Sequence, residues 1–322
     1  MHFFFSLYDS LLISLGVMLL VCALGVPALS FLNAAAGTLR RKLFMVKLAG
    51  QLSRLGLMFI LALTLISAGI LAAAFFLEPG PGIWMEHQVF WKTAVYISGA
   101  ALFFYGLYFL TWNRLARWPV LHLIPAAAAI ACCKLLLGLL FLSLWRELEP
   151  MSPVHPDPDS IFWPILVQLF LLAIAAGAVL GMLYLLYRRN LDDFGRDYYR
   201  YALGLLAKWG IFFAVLSPLT CVWVYFVSRE TFDPTYLILP GAGFALFLLF
   251  LILILLRIAR SQQPMRHKPA VLLCPVLIWL VFTLRLVTYL EMADMVTEEE
   301  VLRTFMRDWA EYLGLTDILG LS

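Results

Sequence analysis

Charge is scarce in this chain, and acidic charge is scarcest where a transport mechanism would need it. Asp, Glu, Lys and Arg make up 13% of the 322 residues, about half their share in soluble domains, so the main solvent of this chain is not water. No Asp or Glu falls at the centre of any long apolar run, which leaves a carboxylate-based proton or sodium relay without a carrier. The cysteines Cys22, Cys132, Cys133, Cys221 and Cys274 all lie in apolar runs. None has C-x-x-C spacing, so a zinc site, a redox disulfide and a c-type haem attachment are excluded. A P-loop, a channel filter and low-complexity tracts are missing, as are the short alternating segments of a β-barrel. No nucleophile–base pair or metal cluster supports an enzyme acting by itself. Nothing points to a nucleic-acid partner.

Hydrophobic residues make up 63% of the chain, and the mean hydropathy is +0.92. Eight apolar runs are long enough to cross about 30 Å of hydrocarbon as helices. They are Leu11–Ala36, Leu55–Leu77, Phe90–Trp112, Val120–Trp145, Ile161–Tyr187, Trp209–Val227, Tyr236–Ile258 and Val271–Leu290. The first is too long for a cleavable signal peptide, and no Lys or Arg precedes it. One set of connections collects Arg40, Arg41, Lys42, Lys47 and Arg54, then Arg114 and Arg117, then Arg188 to Lys208, then Arg257 to Lys268. The opposite set is acidic. Under the positive-inside rule both termini face outside, and the expected location is a bacterial inner membrane.

A second regularity crosses the chain. Arg40-Arg41 leads to Arg54 and Gly56 ahead of an apolar run, and Arg188-Arg189 leads likewise to Lys208 and Gly210. Arg114-Leu-Ala-Arg117 precedes Pro125-Ala126, and Arg257-Ile-Ala-Arg260 precedes Pro269-Ala270. Two ordered echoes in matching positions predict a duplication of four spans. Because four is even, the copies run parallel in the membrane. The expected fold is therefore all-α, a polytopic membrane protein with a first half over 1–148, a second half over 149–292 and a tail over 293–322. In that tail, Thr297 and Glu300 form a capping box ahead of apolar residues at helical spacing, which predicts an amphipathic helix on the outer face. It suits either a membrane surface or a partner subunit.

Ionisable residues inside spans are the strongest functional pointers in such a chain. Lys134 sits near the middle of the fourth span, and Arg285 lies in the eighth. Both are candidate ligand-binding residues, able to donate to an anionic or carbonyl-bearing group such as a quinone head. Histidine is sparse, and only His122 and His267 fall near span ends in roughly corresponding places. They are the candidate cofactor residues, since haem b in a bundle takes axial histidines from facing helices. The cofactor itself is left open.

In architecture, two parallel four-helix halves resemble the quinone-reactive membrane subunits of bacterial respiratory complexes, including the polysulfide-reductase type and the large subunit of cytochrome bd oxidases. No family motif is matched residue by residue, and no site residue is carried over. That resemblance implies a non-catalytic subunit of a redox complex, bound to quinone or to an electron-transfer partner on the outer face. Two other readings stand beside it: a permease for a small anionic or hydrophobic solute, and an assembly or scaffold factor.

Overall fold

The computed structural model describes residues 2–77, 83–112, 119–148, 156, 160–192, 194–228 and 238–288. Nearly all of them are helical, and none is in a strand. The helices are α1 (His2–Leu39), α2 (Leu43–Leu77), α3 (Ile83–Leu110), α4 (Pro119–Leu148), α5 (Phe162–Arg188), α6 (Arg196–Ser228) and α7 (Ile238–Arg260). A short 3-10 turn, Pro264–His267, then leads into α8, residues 268–288. Among the described residues, eight helical segments are long and apolar enough to span a membrane. The predicted tail helix lies outside the described residues.

Two helices start well before their apolar runs. α2 begins at Leu43 and α6 at Arg196, so each carries an amphipathic extension that hydrophobicity alone does not reveal. The reason is burial. Met45, Leu48, Ala49 and Leu52 recur at helical spacing on α2, and Tyr198, Tyr199, Ala202 and Leu203 do so on α6; all are buried. A helix continues past the hydrocarbon where one of its stripes still has a core to face. These two extensions occupy corresponding places, each in the second helix of a predicted half.

The turn from α1 to α2 is a Schellman closure. Lys42 N–H donates to the Gly37 carbonyl at 2.8 Å and Arg41 N–H to that of Thr38 at 3.3 Å, with Arg41 in the left-handed region at φ 52°. This satisfies carbonyls that would otherwise end the helix unpaired. Gly37 faces the Cβ of Met45 and the side chain of Val46, which keeps the hairpin tight.

Contacts run between neighbours in order: α1 on α2, α2 on α3, α3 on α4, α5 on α6 and α6 on α7. α1 also packs along α5 and α4. α5 is rich in small residues, and Ala173, Ala175, Ala176, Ala178 and Val179 are all buried. Without a hydrophobic drive between helices in lipid, close backbone approach is what makes such contacts favourable. One apolar core runs through the bundle, with a smaller cluster around Ile161, Phe162, Ile165, Leu166 and Val224. Large apolar side chains such as Leu65, Phe103, Leu135, Leu219 and Phe226 point outward, as a lipid-facing surface requires.

Candidate functional site

The two cations at membrane depth have opposite surroundings. Lys134 projects from α4 and is exposed. It lines a lateral groove of about 370 Å³ with Leu24 and Phe31 of α1, Ile130 of α4, and Phe170 and Ile174 of α5. Every other lining residue is apolar, so this is a greasy slot with a single donor. The ammonium Nζ lies 5.8 Å from the centre of the Phe170 ring, near the outer limit of a cation–π contact. Among the described residues Lys134 has no hydrogen bond or carboxylate partner.

Arg285 is buried in a knot built from four helices. Its Nε donates to Gln168 Oε1 on α5 at 2.8 Å, and its Nη2 to Cys221 Sγ on α6 at 3.1 Å. The Phe244 ring of α7 caps the guanidinium at 4.6 Å. Gln168 in turn donates towards Ser217 and Cys221 at 3.3–3.4 Å. A guanidinium, an amide, a hydroxyl and a thiol are thus linked by hydrogen bonds between α5, α6 and α8. A buried polar network that is satisfied rigidifies its surroundings. Ser217 also precedes Pro218, which lies inside α6. Proline removes an N–H from the helix ladder and frees a carbonyl there.

The candidate haem residues are not brought together by any described contact. His122 of α4 is stacked on Tyr108 at 4.6 Å and edge-on to Trp112 at 5.0 Å. Its Nδ1 is 3.3 Å from Thr111 Oγ1. Its Nε2 is buried and has no partner among the described residues, so an incoming group would have to displace packed rings to reach it. His267 sits in the turn before α8, half-buried, and that turn packs on α6 and α7. Among the described residues no group of three or more His, Cys, Asp or Glu is placed to hold a metal ion.

A third polar cluster lies where the two amphipathic extensions meet. Asp192, just after α5, accepts from Arg188 Nε at 2.8 Å and Arg188 Nη2 at 2.7 Å. Gln51 of α2 donates to it at 3.2 Å, and Arg54 stands 3.9 Å away. Tyr198 donates to Gln51 Oε1, and Tyr199 to the Asp192 backbone carbonyl. Burial alone would push the Asp192 carboxyl up. The hydrogen bonds from Arg188 and Gln51, with the charges of both arginines, bring it below its ordinary value. The cluster ties α2 to the α5–α6 connection. Arg54 is part of it, while Lys208, its counterpart in the sequence echo, is exposed.

Gln51, Gln168, Asp192 and Cys221 were not among the candidates taken from the sequence. Gln168 had a signal, being a lone amide within the apolar run of α5. Arg188 and Asp192 are spaced i, i+4, which also marks a pair. Cys221 had none. No protein-family model matches the chain, and no curated protein or solved structure is significantly similar to it.

Proposed function

We propose that this protein is an integral subunit of a membrane redox complex that takes a lipid-soluble, oxygen-bearing head group, such as that of a quinone, at Lys134. The observation that carries the reading is the unsatisfied ammonium in the α1–α4–α5 groove. A charge held at mid-membrane depth is costly unless something accepts its hydrogen bonds. Here the described residues supply only the ring of Phe170, its centre 5.8 Å away. An acceptor must come from outside, and the slot is open on its side, where a lipid-soluble molecule arrives. A volume of about 370 Å³ falls in the range of small-molecule sites. The apolar lining suits a ring and a chain, and a single donor suits one carbonyl oxygen. When bound, a quinone would supply two-electron redox chemistry. The chain's own part is to seat the head group, exclude water and present the ammonium to an oxygen.

Within this reading Arg285 holds α5, α6 and α8 together and leaves ligand contact to Lys134. The two halves, 1–148 and 149–292, are parallel copies, with both termini on the outer side of a bacterial inner membrane. Matching amphipathic extensions on α2 and α6 support the duplication, as do the paired Arg-Arg echoes. An electron-transfer partner docks on the outer face.

The test is gentle purification followed by extraction of bound lipids and identification of co-purifying subunits. Wild type is expected to retain quinone and redox partners. Lys134→Leu, which inserts normally because its site is exposed and apolar, is expected to lose the quinone. A chain that carries neither quinone nor redox partners overturns the reading. Loss of solute uptake in Lys134→Leu cells, with partners and quinone absent, would replace it with the permease.

A further inference from the structure

We propose that a basin lined by arginines at the ends of α5, α6 and α8 is a binding site for a phosphate-bearing anion. It is separate from the Lys134 groove and does not depend on what that groove binds. Arg189, Arg196, Arg200 and Arg266 line one concavity of about 450 Å³. They come from three pieces of backbone: the residue after α5, the first turns of α6 and the 3-10 turn before α8. All four arginines are exposed, and positive charge gathered around one hollow favours an anion there.

Among the described residues, the neighbouring acids do not neutralise them. Asp192 is engaged by Arg188, Arg54 and Gln51. Asp197 is exposed in the first turn of α6 and does not line the basin. None of the four arginines has an ion pair among the described residues. Arg200 makes one long contact, Nη2 to Gln262 Oε1 at 3.5 Å, which steadies the side chain and leaves its other N–H groups available. The amino end of α6 opens at the rim, where Gly195, at φ 82°, turns the chain into the helix.

Planar guanidinium groups pair with phosphate oxygens two bonds at a time. Four of them in one hollow fit a group carrying two or more negative charges. A diphosphate or a headgroup with two phosphates has both the charge and the size. The basin lies at the ends of three spans, level with phospholipid headgroups, so the phosphate can belong to a lipid or to a water-soluble compound.

The experiment uses the full chain in neutral detergent and has two arms. In one, thermal unfolding is followed with short-chain cardiolipin against phosphatidylcholine; in the other, with pyrophosphate against chloride at equal ionic strength. The expected result is a rise in Tm of about 2–4 °C in at least one arm, lost in R196Q/R266Q and kept in R40Q/R41Q, which removes charge outside the basin. A rise in the lipid arm alone assigns the phosphate to a headgroup, and a rise with pyrophosphate alone assigns it to a soluble compound. No rise in either arm, or equal loss in both variants, overturns the proposal. If R196Q/R266Q does not fold, arginine modification of wild type by phenylglyoxal decides. The anion should slow modification of Arg196 and Arg266 several-fold but not that of Arg40, and equal rates overturn the site.

Discussion

Gly25 of α1 and Gly177 of α5 meet backbone to backbone. A Cβ on Gly177 would stand 2.6 Å from the carbonyl carbon of Gly25 and 2.8 Å from the nitrogen of Val26. A Cβ on Gly25 would stand 1.8 Å from the carbonyl oxygen of Ala173. Both obstacles are main chain, so no rotamer change relieves them. The two helices are the first of each proposed half.

Gly177→Ala should therefore be among the most damaging single-methyl additions in the protein. Pushing two helices apart costs on the order of 1–3 kcal/mol or more through lost packing. Gly138→Ala is the control, because nothing lies within 4 Å of a Cβ there. Thermal unfolding in detergent should show a clear drop for Gly177→Ala and little change for Gly138→Ala. Equal effects would mean that the crossing is not tight.

Tyr105 of α3 tests packing in the opposite sense. Its hydroxyl is buried without a hydrogen-bond partner among the described residues, and it lies against Gly56, 2.5 Å from where a Cβ would be. Tyr105→Phe removes an unsatisfied polar atom and should be neutral or stabilising by up to about 1 kcal/mol. Gly56→Ala should destabilise by about 1–3 kcal/mol. The double variant should recover part of that loss, since the nearest clashing atom is gone. A strictly additive double-mutant cycle would contradict the contact.

Asp192 makes stability depend on pH at the acid end. Its folded carboxyl sits below the ordinary value of 3.8, so the folded protein holds that proton less tightly than the unfolded chain. The clamp's contribution is complete above pH 3.8 and is lost as pH falls through the lower folded value. Asp192→Asn should lower stability at neutral pH by about 1–3 kcal/mol and flatten this part of the acid profile. An unchanged acid limb in the variant would show that the clamp does not couple to folding.

The eight long apolar helices were legible because lipid imposes a simple rule: a long uncharged run has to be a helix. What that rule could not reach were the first turns of α2 and α6. There the helix continues because Leu48 and Tyr198 face protein, and burial outside the hydrocarbon leaves no mark in mean hydropathy. Lys134 and Arg285 looked alike in the sequence, each a lone cation in an apolar span. They differ because Gln168, far away along the chain, reaches the guanidinium, while nothing comparable reaches the ammonium. Arg188 and Asp192 were readable as a pair from their spacing. Their joining to Gln51 was not, because only the folded bundle brings α2 to that loop.

The Gly25–Gly177 crossing also has a consequence for how the protein is made. During synthesis α1 enters the bilayer first, and the glycine notch on it has no counterpart until α5 emerges about 150 residues later. Through that interval the notch faces lipid or whatever escorts new helices into the membrane. An early helix thus closes onto one made well after it, and a ribosome paused between them would leave a partial bundle with an open seam.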